Sequence, residues 1–475
     1  MQSILACITF SLLGGVLSSR TASAQSPAPA QEETPVKADA PAKPAPAESS
    51  ATSDVENTIV QKRNEQVPAS VSGNPAADNV VPGTGFLGRA LGFDENSGLR
   101  FGGMWLGDSN GLINGGQNPG KWSWNSLLVL GLNVDAEKLM GLRGASFATQ
   151  FMQVDTQPTN GQAGSIQGYN SLDSSAGTVV DRSQLYQVWY RQKLFDDKVN
   201  IRIGKQVPTY DFANVSRPVS ESDELLMIPA VTGLLFTPIF VNPAMLGPIG
   251  GYYNSVYGVC VGIATTENSY VRIGVYDGNL ANGVQTGMTG PEFNSYTYSI
   301  AETGFDWILN GEYPGEFGIG AWYQTGELQT TQSNNDVVSQ DGTGGVYFFA
   351  GQRIWSNGEK SDGKAAPEQS ISTFIQYGVN NSDTMLMNQS VGGGLTGFGL
   401  FPSRPRDSMG IGSSLSWLNP NTFDRSSELM FQSYYQFYIA DGVFFQPAVT
   451  YIPTPGANPD LTDSVAVTFR LTVLF

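Results

Sequence analysis

Histidine is absent from all 475 residues. That removes the commonest general base and the commonest metal ligand together, and it makes a Ser-His-Asp triad impossible in this chain. Cysteine is scarce, with Cys7 and Cys260 alone. Cys7 lies in a segment expected to be removed, so no disulfide is expected. Charged residues make up only 14% of the chain, and 25 Lys+Arg against 42 Asp+Glu leave a net charge of −17. Nucleic-acid binding needs clustered cations, so that partner is excluded. Long apolar runs are missing too. The best stretch, Leu225 to Pro248, is interrupted by Pro229, Pro238, Pro243 and Pro248, whereas a spanning helix needs ~20 mostly apolar residues. The glycine-rich stretch 391–399 lacks the Gly-Lys-Ser/Thr ending of a phosphate loop, and no G-x-S-x-G elbow occurs near it. The chain is expected to carry no metal, no cofactor and no catalytic residues.

What is present points to many twisted strands: 56 glycines and 11% aromatics. The N-terminus reads as an export leader over residues 1–24. Its apolar region runs from Ile4 to Leu17, and Ala22-Ser23-Ala24 forms a cleavage site before Gln25, although no Lys or Arg precedes the apolar run. Residues 25–85 are expected to form a disordered Pro/Ala-rich arm. The low-complexity part, to about Pro82, cannot bury enough apolar surface to offset its ordering entropy.

From Phe86 to Phe475 short alternating runs recur between Gly/Asn/Asp/Ser clusters. The C-terminal "SVAVTFRLTVLF" is the clearest. Val465, Val467, Phe469, Leu471, Val473 and Phe475 share one face, and Ser464, Ala466, Thr468, Arg470, Thr472 and Leu474 the other. "SELMFQSYYQFYI", "DKVNIRIGKQ", "YVRIGVYDG", "EFGIGAWYQTG" and "SMGIGSSLSWL" repeat the pattern. An apolar face ending flush at Phe475 would aggregate in water but suits lipid. The other face, rich in Gly, Ser, Gln, Arg and Glu, suits a wet lumen. "IADGV" reads as a tight turn, and residues 326–345 read as a long polar loop. The 390 residues from 86 to 475, at roughly 24 per strand and connector, give about 16 strands. The expected fold is all-β, a transmembrane antiparallel barrel preceded by the arm.

Four blocks, in this order and spacing, give a resemblance: "LLVLGLNVDAEKLMGLRGASFATQF" (127–151), "RSQLYQVWYRQKLFDDKVNIRIGKQVPTYDF" (182–212), "GLFPSRPRDSMGIG" (399–412), and "SELMFQSYYQFYIADGVFFQPAVTYIPTPGANPD" with the final strand. With these blocks the chain resembles the carbohydrate-selective outer-membrane porins of Gram-negative bacteria. The resemblance implies an outer-membrane barrel that admits glucose and related sugars by passive diffusion, with small sugars and lipid as its partners. A homotrimer and a periplasmic contact through residues 25–82 are further expectations. The alternatives are a general or anion-preferring porin and a structural anchor acting through the arm.

A leaky sugar channel needs fixed hydrogen-bond donors, acceptors opposite them and aromatic surfaces, with weak binding throughout. The candidates on the expected lumen face are Arg191, Arg202, Lys205, Arg272, Glu428 and Arg470. Near loops or strand ends they are Asp211, Trp322, Arg404, Arg406 and Asp407. The competing reading is that these charges pair with one another and stiffen the wall. Trp105 and Trp189 fit a membrane-interface girdle equally well, and Cys260 reads as a small wall residue.

Overall fold

The computed structural model describes residue 76 and residues 86–93, 97–173, 180–214, 232–251, 253–266, 268–284, 290–310, 313–332, 335–357 and 369–475. The expected leader lies outside the described residues, and so does the expected arm apart from Ala76. A short helix, α1 (Phe86–Leu91), precedes the first strand.

The strands are β1 (Leu99–Gly115), β2 (Trp122–Asp135), β3 (Ala145–Asp155), β4 (Asp181–Leu194), β5 (Val199–Gln206), β6 (Val256–Thr266), β7 (Ser269–Asp277) and β8 (Thr297–Leu309). They continue as β9 (Tyr313–Thr331), β10 (Val337–Asn357), β11 (Gln369–Asn380), β12 (Met387–Phe398), β13 (Ser408–Leu418), β14 (Ser427–Ala440), β15 (Val443–Ile452) and β16 (Ser464–Leu474). Each pairs with its sequence neighbours, and β1 closes on β16, giving one barrel with no free edge.

One end of the barrel carries tight connections. Asp441-Gly442 joins β14 to β15, with Gly442 at φ 74°, a left-handed turn position that glycine adopts without strain. Helix α2 (Ala136–Met140) joins β2 to β3; Asp135 caps its start and Gly141 its end. The other end carries the long connections 156–180 and 207–255. Short turns face the periplasm in outer-membrane barrels, and long loops face outward.

The alternating faces fall as the sequence pattern requires. Ile203, Ile273, Ile319, Leu395, Ile411 and Val449 are exposed on the outside, where lipid covers them. On β16, Phe469 and Leu471 point out while Thr468, Arg470 and Thr472 are buried inside. Outward rings run obliquely across strands. Trp122 stacks on Phe469 at 6.4 Å, Phe469 on Phe445 at 6.2 Å, and Phe445 on Phe437 at 6.3 Å. Aromatic residues anchor at the membrane interface. Trp189, by contrast, is buried on the inner wall beneath Arg202. Ile411→Arg would place a guanidinium in hydrocarbon, at a cost rising to about 2–4 kcal/mol at midplane depth. A lowered urea midpoint in lipid vesicles is the expected result; an unchanged midpoint would mean Ile411 does not face lipid.

Most of residues 326–345 are strand rather than loop. β9 continues to Thr331 and β10 starts at Val337, with Glu327 opposite Asp341 and Gln329 opposite Ser339. Thr330, Thr331, Val337 and Val338 favour strand. One face of this hairpin is exposed at Glu327, Gln329, Val337 and Ser339, and the other packs on polar loop residues, with Thr330 against Thr422 and Gln340 against Asn381. With polar neighbours on that face it needs little apolar alternation, and polarity makes it look like a loop.

The lumen is not simply wet either. Inward glycines receive rings from the neighbouring strand: Gly318 faces Phe349, Gly320 faces Tyr347, and Gly304 faces Tyr270. A Cβ at any of these glycines would collide with the ring. The glycine-rich inner face therefore houses aromatic side chains as well as polar ones.

Candidate functional site

Two long outer connections fold inward and fasten to the inner wall. In residues 156–173, Gln167 bonds Ser414, Ser416 and the Glu428 carbonyl. Asn170 bonds Asp108 at 2.7 Å and Asn110 at 2.8 Å on β1. In residues 232–251, the Leu235 amide donates to Gln432 on β14, Gln446 on β15 donates to the Gly233 carbonyl, and Gln376 on β11 donates to the Pro238 carbonyl. The two segments bond each other: Ser171 N–H to Leu235 O at 2.8 Å and Thr237 N–H to Gly168 O at 2.9 Å. Their apolar side chains, Tyr169, Leu234, Leu235, Phe236, Ile239 and Met245, pack against wall residues including Tyr298, Trp322 and Met430. Tyr169, Phe236 and Met430 are at most 1% exposed, so this junction is dry, and the same burial pushes the Tyr169 phenol well above its ordinary range.

A charged cluster lies on the wall formed by β4, β5, β7 and β8. Arg191 and Arg202 are directly opposite across β4 and β5, and like charges so placed repel unless other groups hold them. Arg191 donates to Ser146 at 3.1 Å. Arg202 bonds Gln206 at 2.7 Å, pairs with Asp211, and sits 5.4 Å over the Trp189 ring. Arg272 donates to the Asp211 carbonyl, lies 3.9 Å from Glu302, and is 5.0 Å over Tyr270. Glu302 also accepts from Tyr270, Tyr347 and the Ala213 amide. Residues 211–213 are thus strapped onto the arginines. The Arg202 and Asp211 side chains stay 17% and 15% accessible, while Arg272 is 6% accessible.

Residues 126–475 match the family model "Carbohydrate-selective porin, OprB family". The chain belongs to the OprB family. It is 22% identical over 429 residues to Porin B of Pseudomonas aeruginosa, covering 78% of this chain and 86% of that one. It is 23% identical over 401 residues to the putative porin QuiX of Acinetobacter baylyi, covering 75% and 82%. Among solved structures, the high-pH structure of Pseudomonas putida OprB superposes with a TM-score of 0.67 at 18% identity, covering 82% of this chain and 96% of that one. Membership makes this an outer-membrane porin for carbohydrate, and the barrel is its channel.

Of the residues singled out from the sequence, the fold of this porin brings Arg191, Arg202, Asp211 and Arg272 into one cluster. Lys205 follows the distorted Gly204 (φ 135°) and is buried, its ammonium 3.1 Å from the Leu185 carbonyl. Trp322 is buried and stacks on Tyr298 at 5.9 Å. Glu428 is wholly buried under loop donors. Arg470 grips Asp108 through two 2.7 Å bonds. Arg404, Arg406 and Asp407 lie in the turn between β12 and β13 at the periplasmic end. There Arg404 holds Asp407 at 2.7 Å, and Arg406 donates to the Tyr438 hydroxyl at 2.6 Å. The sequence reading did not find Asp108, Glu302, Tyr270 or Gln167. Asp108 and Glu302 carry a readable signal, an acid on the inward phase of an alternating strand. Gln167 carries none, because its role depends on how a loop folds back.

Proposed function

We propose that sugar crosses this porin beside the strapped arginine wall, with Arg202 and Asp211 as the most accessible contacts and Arg191 and Arg272 behind them. The supporting observation is the juxtaposition of guanidinium forks, a carboxylate and the Trp189 and Tyr270 faces inside a lumen narrowed by two loops. Guanidinium N–H groups donate to sugar hydroxyls, the carboxylate accepts from them, and aromatic faces cover C–H surfaces. The prior pairing of Arg202 with Asp211 keeps each contact weak, because sugar must compete with an existing partner; a channel needs entry and exit alike. Swelling of proteoliposomes in glucose tests the reading, and vesicles that conduct ions but do not swell in glucose would refute it.

The arginines also suit an anion-preferring porin, but the outer end opposes that. Exposed Asp155, Asp181, Glu327, Asp341, Asp383 and Asp460 stand there against Lys121, the single exposed cation at that end among the described residues. A mouth of one sign concentrates counter-ions and repels co-ions. In a dilute KCl gradient the reversal potential is expected to show potassium passing faster than chloride. The preference should fade toward 1 M salt, where the Debye length falls to about 3 Å. Chloride preference in dilute salt would support the anion reading.

A further inference from the structure

Glu428 is a buried carboxylate with no role in contacting solute: it is 0% exposed on the inner face of β14. Its two oxygens accept four hydrogen bonds. Ser165 Oγ donates at 2.8 Å, the Ile166 amide at 2.8 Å, the Gln167 amide at 3.0 Å and the Gly456 amide at 2.7 Å. An ionised carboxylate has about four acceptor sites, so it is saturated, and all four donors are uncharged. Three of them sit in succession on the inward segment 156–173, and the fourth sits on the connection between β15 and β16. Consecutive backbone N–H groups converging on one anion form a tight cradle.

We propose that Glu428 is the positioning residue that sets the bore of this channel, by holding segment 165–167 against the wall. The sugar never touches it. Gln167 adds the neighbouring bonds to Ser414 and Ser416, so the carboxylate and Gln167 pin one short stretch of chain to β13 and β14. That stretch in turn holds the second inward segment through the Gly168–Thr237 and Ser171–Leu235 bonds. Losing the carboxylate strands three backbone or hydroxyl donors of one loop in a dry site. They regain partners only by moving toward water, so segment 165–167 leaves the wall, and the second segment loses the support it takes through Gly168 and Ser171 while keeping its own bonds to Gln432, Gln446 and Gln376. A glutamine side chain fits the same space, but it presents an NH2 group to donors and keeps one accepting oxygen, so it should act as a partial latch.

The proposal rests on the loops bounding the sugar path. Wild-type protein that conducts yet passes no glucose would sink that reading, whereas the latch is judged only on ratios between variant and wild type. The experiment uses the full chain with Glu428→Gln and Glu428→Ala in planar bilayers and in proteoliposomes. Conductance is expected to rise in the order wild type, Gln, Ala, with Ala at about twice wild type or more, because the narrowest section limits passage. Swelling in maltotriose relative to glucose is expected to rise in the same order. A merely structural carboxylate would lower the denaturation midpoint and leave conductance and the sugar ratio alone, and that result overturns the proposal. Gln167→Ala leaves the barrel wall untouched and is expected to shift both readings the same way by a smaller factor. Should Glu428→Ala fail to insert, wild-type conductance in Gln167→Ala overturns the proposal by itself.

Discussion

Asp108→Ala is expected to destabilise the barrel by about 3–5 kcal/mol, because it leaves a buried guanidinium without its partner. Asp108 is 0% exposed, and Arg470 reaches both of its oxygens at 2.7 Å. The pair bridges β1 and β16, opposite each other in register, so it sits on the seam where the ring closes. Asp108 also accepts from Asn170, and its loss unfastens the inward segment at a second point. The urea midpoint of folded protein in lipid vesicles measures the cost. Two controls separate the cause. Arg143 and Asp196 form an ion pair in the open, 85% and 73% accessible, and Arg143→Ala there is expected to cost about 0–1 kcal/mol. Asp108→Leu combined with Arg470→Met removes both charges, and much of the lost stability should return, since apolar pairs of like volume replace buried ion pairs at little cost. If Asp108→Ala cost no more than Arg143→Ala, Arg470 would have to be solvated in the barrel, against its burial.

The barrel is legible in the sequence because a strand with lipid on one side and protein on the other must alternate. In "SVAVTFRLTVLF" each residue's side is dictated by two solvents, and the observed burial follows the pattern residue by residue. Legibility ends where that contrast ends. The hairpin arms 326–331 and 337–342 have water on one face and polar loop residues on the other, so little in their pattern marks them as strand. The inner face of β9 has protein on it, so Gly318 and Gly320 leave room for rings instead of lining a water column. The charged residues show the same limit. Inward phase is readable for Arg202, Glu428 and Arg470 alike, yet one pairs with a loop aspartate, one cradles loop amides and one closes the ring. The first two fates depend on where residues 156–173 and 207–214 come to rest. Contacts between a loop and a wall some 260 residues away, such as Ser165 with Glu428, leave no periodicity in the chain.

Arg202→Ala is expected to weaken glucose binding in the channel, read as sugar-dependent block of ion current, by about 10- to 100-fold, since a hydrogen bond to a charged group contributes about 1.5–3 kcal/mol. Two effects are mixed in that number. Arg202 faces the lumen, and it also holds Asp211. Asp211→Asn separates them: it removes the carboxylate charge and leaves the guanidinium in place. If sugar binds Arg202 in competition with Asp211, Asp211→Asn should strengthen block and Arg202→Ala weaken it. If the pair only fixes the loop, both substitutions should change ion conductance together and neither should alter the sugar concentration at half-block. Arg202→Lys tests geometry at constant charge. A lysine keeps the field but loses the planar fork and its stacking on Trp189, 5.4 Å beneath. Block close to that of alanine would therefore mean that the fork and the stack recognise sugar. Block close to wild type would mean that positive charge alone suffices, and a channel reading charge alone could not favour a neutral solute.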